Sequence, residues 1–96
     1  MKGKELVMKI RIFSVLWCPS CIIMRPRYDE IKLLNKEVEF EEFDFDEDKE
    51  YFDKYKIGDT LPVFILFDDE EKETVRLIGE YSKKNFRKKL GEYLNV

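Results

Sequence analysis

The most constraining feature of this sequence is a strand that hands over directly to a helix across two cysteines. Lys9 to Leu16 is dominated by β-branched and aromatic residues and reads as a strand. Trp17-Cys18-Pro19-Ser20-Cys21 breaks it, and a helical pattern runs from about Pro19 to Asn35. Pro19 suits a first helical turn, where a missing N–H costs nothing. Ile22, Ile23, Tyr28, Ile31, Leu33 and Leu34 are expected to form the apolar face. Pro26 falls mid-helix, removes one ladder bond and is expected to kink it.

The alternation continues. Val38 to Asp46 reads as a second strand whose apolar positions change parity once, between Phe40 and Phe43. Either a bulge intervenes or the strand is covered on both faces. Asp46 to Tyr55 is expected to be a short helix with an acidic start, stopped by Gly58. Leu61-Pro62 opens an apolar strand, Val63 to Phe67, and an acidic turn joins it to Thr74–Ile78 as an antiparallel hairpin. Gly79 ends that strand. Ser82 is a fair N-cap for a last helix to about Leu94, with Phe86, Leu90 and Leu94 facing inward. The order β-α-β-α-β-β-α predicts an α/β architecture, a mixed sheet sandwiched between helices.

Ninety-six residues are expected to make a single domain spanning 1–96, with residues 1–8 as a short tail. Apolar residues are 44% of the chain, including eight Phe, five Tyr and one Trp, enough for a core. Charged residues reach 41%, but the net charge is only −3, which argues against a nucleic-acid surface. No apolar run approaches the ~20 residues of a membrane span. Lys9 and Arg11 interrupt the one stretch that resembles a secretion signal, so a cytoplasmic location is expected.

With two Cys and no His, a Ser-His-Asp or Cys-His mechanism is excluded within one chain, and so is a closed Cys/His zinc site in a monomer. Cysteines at i and i+3 at a helix start can close a small disulfide ring. The first sulfur lies at the helix N-terminus, where unpaired N–H groups and the dipole stabilise a thiolate. The thiolate is the attacking species in disulfide exchange. Cys18 is therefore the candidate attacking thiol, and Cys21, one turn in, its buried resolving partner. Two rivals stand beside redox chemistry: half of a metal or iron–sulfur site completed across a dimer, and an inert pair.

Trp17-Cys18-Pro19-Ser20-Cys21 with Pro26 resembles the active-site helix of the thioredoxin superfamily. Asp29-Glu30-Ile31, Asp44-Phe45-Asp46-Glu47, Lys54-Tyr55-Lys56-Ile57, Leu61-Pro62-Val63-Phe64 and Ile78-Gly79 with Ser82 extend the likeness over about residues 9–96. The resemblance implies a thioredoxin-like fold, a four-stranded mixed sheet flanked by three helices, in its minimal, glutaredoxin-sized version. It implies a protein-disulfide reductase that needs no metal or organic cofactor. Its partners would be disulfide-containing client proteins and a thioredoxin-reductase-like or glutathione reductant, with no nucleic acid or membrane partner, and the chain acting as a monomer. The resemblance further implies a cis Leu61-Pro62 bond beside the Cys18 sulfur, and a substrate-binding shelf of Trp17, Pro19, Ser20, Leu61, Pro62 and Gly79.

Two positions depart from the family pattern. Where thioredoxins bury an Asp beneath the resolving cysteine, this sequence has Ile12, and where they place its Lys partner it has Glu42. Glu42 is thus a candidate base for Cys21; the more economical reading places it, like Glu41, in solvent at a bulge. A glutathione-linked glutaredoxin-like enzyme is the nearest alternative, since Thr60-Leu61-Pro62 fits that family's proline segment. Gly79-Glu80-Tyr81, however, matches its glutathione signature poorly. A non-catalytic adaptor or cluster-binding module is the alternative from another class. Met8 and Met24 are read as packing residues, Arg25 and Arg27 as helix surface, and the basic run Lys83 to Lys89 as a solvated helix face.

Overall fold

The computed structural model describes residues 7–95. Its elements are β1 (Lys9–Ser14), α1 (Pro19–Leu34), β2 (Glu39–Asp44), α2 (Lys49–Lys54), β3 (Val63–Phe67), β4 (Glu73–Ile78) and α3 (Lys83–Leu90). The sheet order is β2-β1-β3-β4; β2 runs parallel to β1, and β3 and β4 are antiparallel to their neighbours. This is the expected mixed four-stranded sheet with three helices. Val7 is buried, and Met8 donates to Phe67 and accepts from Glu39, so residues 7 and 8 extend the sheet. The rest of the expected tail, 1–6, lies outside the described residues. The Met8 side chain is exposed rather than packed.

Strand register assigns each side chain to a face. Ile10 pairs with Phe40 and Leu66, and Ile12 with Glu42 and Phe64. These residues point towards α1 and α3, where Ile10, Ile12, Phe64 and Leu66 pack with Met24, Tyr28, Ile31, Phe86 and Leu90. Phe13, Val63, Ile65 and Phe67 point the other way and pack with Phe52 of α2. The β1–β2 register runs unbroken from Lys9↔Glu39 to Ser14↔Asp44, so β2 has no bulge. The parity change at Phe40 and Phe43 arises because the two rings serve opposite cores. Every residue of β3 is buried, as befits a central strand covered on both sides.

Three expectations need correction. Helix α1 buries Cys21, Met24, Tyr28 and Ile31, whereas Ile22 (60%), Ile23, Leu33 (69%) and Leu34 are exposed. The buried set follows one helical stripe, and the other four stand off it. Helix α2 begins at Lys49, not Asp46, because the aspartates make local turns instead. Asp44 Oδ2 accepts from the Asp46 amide at 2.9 Å, and Asp48 Oδ2 from the Asp44 amide at 3.0 Å. Lys56, not Gly58, stops α2. Lys56 takes a left-handed φ of 55°, while its N–H donates to Asp53 and that of Ile57 to Phe52, a Schellman closure with Ile57 packed on the same cluster.

Helix α3 starts as expected, with Ser82 Oγ accepting from the Asn85 amide at 3.1 Å. It ends at Leu90 rather than near Leu94, but a turn still brings Leu94 into the core. Buried Asn35 closes α1: its side-chain amide donates to the carbonyls of Ile31 and Asn95 and its oxygen accepts from the Asn95 amide. Every polar end of Asn35 is thereby satisfied.

Candidate active site

The end of β1 and the start of α1 place the two cysteines. Cys18 is the N-cap of α1, with extended backbone (φ −85°, ψ 122°), and its carbonyl accepts from the Ile22 amide. It is partly exposed, whereas Cys21, one turn further, is only 5% exposed; both are free thiols. Pro19, at the first helical position, withholds no donor that the helix would use. Burial pushes the Cys21 thiol up to about 11, and the neighbouring Cys18 adds to the rise. A hydrogen bond from the Val15 backbone and the positive charge of Arg25 pull the other way.

Three interactions gather the distant half of the site around this helix start. The Leu61-Pro62 bond is cis, and the Pro62 carbonyl accepts from the Gly79 amide at 2.8 Å. Gly79 has φ +90°, a conformation that L side chains rarely adopt, and a Cβ there would come within 3.3 Å of Thr60. Ser20 Oγ donates to Glu80 at 3.0 Å, and Arg27 donates to the Tyr81 carbonyl at 2.7 Å. The Tyr81 amide in turn donates to the sulfur of buried Met24 at 3.3 Å. Loop 79–81 is thus fastened to the first two turns of α1, with Pro62 bonded to it. Leu61 is half-buried against the α2-side cluster. Trp17 stands out at 68% exposure, its indole N–H donating to Asp46 at 3.2 Å.

Glu42 neither sits at a bulge nor hangs free. Its side chain is on the α1 face, where Oε1 accepts from Tyr28 at 3.4 Å and Arg25 at 3.5 Å and Oε2 is paired with Lys32. Ile12 is fully buried in the cluster on the α1 and α3 side of the sheet. Arg25 borders a cleft of about 110 Å³ formed with Val15, Leu16, Cys21 and Ile22. It also borders a larger basin of about 490 Å³ on the Trp17 and Glu42 side. No group of three or more His, Cys, Asp or Glu fit to hold a metal occurs among the described residues.

Sequence reasoning did not single out Glu80, Tyr81 or Asp46 as partners of the site. Glu80 lies 60 residues from Ser20, and no local pattern marks such a contact. For Arg25 a signal existed: it is four residues after Cys21, hence its neighbour on the helix surface.

The sequence profile described as thioredoxin matches residues 2–88. The chain belongs to the thioredoxin family. Among curated proteins it is 34% identical over 77 residues to thioredoxin H5 of Oryza sativa subsp. japonica, covering 80% of this chain and 53% of that one. It therefore spans about half the length of that relative. Two solved structures share the thioredoxin fold. That of Fasciola hepatica thioredoxin has a TM-score of 0.77 at 24% identity over 94% of this chain and 83% of that one. Thioredoxin NaTrxh of Nicotiana alata has a TM-score of 0.77 at 18% identity over 99% and 97%. At these identities the structural likeness speaks for the thioredoxin fold alone.

Proposed function

We propose that the protein reduces protein disulfides by dithiol exchange through Cys18 and Cys21. The observation that carries this reading is the pairing of a partly exposed Cys18 at a helix N-cap with a buried Cys21 one turn on. The Cys18 thiolate attacks one sulfur of a substrate disulfide; that S–S bond breaks, and the other substrate sulfur leaves as a thiolate and takes up a proton. Cys21, deprotonated, then attacks Cys18. The Cys18–Cys21 bond forms, the bond to substrate breaks, and the second substrate sulfur departs as a thiolate. Two electrons have passed from the dithiol to the client. Trp17, Pro19, Ser20, Leu61, Pro62 and Gly79 form the shelf on which the client docks. The proposed setting is the cytoplasm, with the chain acting alone and a flavin-dependent thioredoxin reductase restoring the dithiol.

Glutathione is the rival reductant. Glu80, the acid that would hold its γ-glutamyl end, already accepts from Ser20 Oγ, which favours a protein reductase. Insulin reduction driven by thioredoxin reductase, run beside the same assay driven by glutathione, is expected to be faster with the reductase. Cys18→Ser is expected to lose all turnover, and Cys21→Ser to hold substrate as a mixed disulfide visible by mass spectrometry. Retention of insulin reduction by Cys18→Ser would overturn the reading and leave an adaptor or cluster-binding role.

A further inference from the structure

The resolving step asks Cys21 to become an anion in a place that resists it. Cys21 is nearly sealed, and burial favours the neutral thiol. A cleft borders it, lined by Val15, Leu16, Cys21, Ile22 and Arg25, whose Leu16, Ile22 and Arg25 walls are exposed. The guanidinium at that cleft is the one positive charge on its lining. Arg25 lies one turn beyond Cys21 on α1, its guanidinium 5.4 Å from the centre of the buried Tyr28 ring and 3.5 Å from Glu42.

The charged and titratable groups around it come from every neighbouring element. At the cap of α1 and along it they are Cys18, Arg25, Tyr28 and, further on, Lys32; on β2, Glu42 and Asp44; and in the loop before α2, Asp46, Glu47 and Asp48, which with Glu42 and Asp44 share the larger basin with Arg25. Arg25 borders both spaces, the one that Cys21 lines and the one that these carboxylates line. Lys32 is already paired with Glu42, and Glu42 makes its hydrogen bonds with Lys32, Arg25 and Tyr28.

We propose that Arg25 is the positioning residue for resolution: it presents a fixed positive charge to the Cys21 sulfur as that sulfur turns anionic. The inference rests on the dithiol reading above. A guanidinium stays charged at all working pH values and takes no proton itself. The Cys21 proton leaves to water in the cleft; the sulfur's electron pair then forms the bond to Cys18 while the client sulfur departs with the pair from the broken bond. Arg25 changes neither balance, only the ease with which the anion forms. Glu42 offsets part of that charge and is not the base.

The test is a single-turnover reaction of the reduced protein with 5,5′-dithiobis(2-nitrobenzoate), followed from pH 6 to 11. The first thionitrobenzoate released reports attack by Cys18 and the second reports resolution by Cys21. Arg25→Met is expected to slow the second release, relative to the first, about three- to tenfold near pH 7. Below the Cys21 midpoint that slowing should hold at each pH, because both rates follow the fraction of thiolate. Arg25→Lys should restore most of the loss. Glu42→Gln should resolve as fast as the native protein or faster. A second release in Arg25→Met that matches the native protein's, or a slowing that Arg25→Lys fails to restore, would overturn the role of Arg25. So would slower resolution in Glu42→Gln, which would make Glu42 the proton acceptor. Failure of the native protein to release a second equivalent would instead defeat dithiol exchange itself.

Discussion

On one side of the sheet, α1 and α3 lie over Ile10, Ile12, Phe64 and Leu66; on the other, the six-residue α2 alone covers Phe13, Val63, Ile65 and Phe67. The thinner side relies on rings. Phe13 stacks on Phe43 with centroids 5.1 Å apart and meets Phe52 edge-on at 5.1 Å, and Phe43 stacks on Tyr51 at 4.6 Å. Arg11 spans the margin of this cluster, hydrogen-bonded to Glu41 at 2.7 Å and lying 5.3 Å from the centres of the Tyr55 and Phe67 rings. Aromatic contact at these separations contributes beyond area alone. The thicker side holds the machinery: α1 carries both cysteines, Arg25 and the Met24 sulfur that receives loop 79–81. The difference teaches that this fold anchors its reactive helix on the deeper core and leaves the other face as a support.

The largest expected effect probes that depth. Phe64→Ala, under both Tyr28 and Phe86, is expected to cost about 4 kcal/mol in urea denaturation. Phe52→Ala on the opposite face is expected to cost about 3 kcal/mol, because a six-residue helix can settle into the space it leaves. If Phe52→Ala proves the costlier of the two, the asymmetry between the faces is wrong.

Next comes pH. Burial holds the Cys21 thiol neutral to about pH 11, against an ordinary value of 9.0. Between those values the unfolded chain sheds a proton that the folded chain keeps. This contribution is therefore complete below about pH 9 and is lost as pH rises to about 11, a fall of about 2–3 kcal/mol. Buried Tyr28 is shifted upward too, by burial and by the Glu42 carboxylate, so its stabilisation is also lost on the alkaline side. Comparing alkaline denaturation of the reduced protein with that of Cys21→Ser isolates the cysteine. Equal slopes would mean that Cys21 is less buried than its neighbours make it.

The smallest expected effect is at the edge of the deeper core. Ser82→Ala, which removes the cap of α3, should cost about 1 kcal/mol by thermal denaturation while leaving the α2 face undisturbed. A loss well above that would show α3 to be held by its cap more than by Phe86 and Leu90.

Much of this arrangement is legible in the residues themselves. The strand-to-helix handover at Trp17–Cys21, the β3 run Val63–Phe67 and the Ser82 cap are all local signals, and each element forms where its residues direct. What the chain conceals is set from a distance. Ile22 and Ile23 read as core residues because nothing in a helical pattern tells which apolar stripe will meet the sheet. Phe40 and Phe43 fit either a bulge or a strand covered on both faces, and only the two separate cores decide for the second. The start of α2 is hidden because aspartates that favour a helix N-terminus also favour the turns that delay it. Within the site, the cysteines announce themselves by spacing. Glu80 and Tyr81 gain their place through distant bonds, to Ser20 and to Arg27 and Met24, beside the one from Gly79 to Pro62.

Among the described residues strand β2 borders the sheet, with β1 on one side and no further strand on the other. It carries Glu39, Glu41, Glu42 and Asp44 within six residues. A second molecule seeking to prolong the sheet there would bring carboxylate against carboxylate, a natural deterrent to fibrillar stacking. That guard depends on charge, so added salt screens and weakens it. Light scattering that stays flat as salt is raised would show the border to be protected by something other than charge.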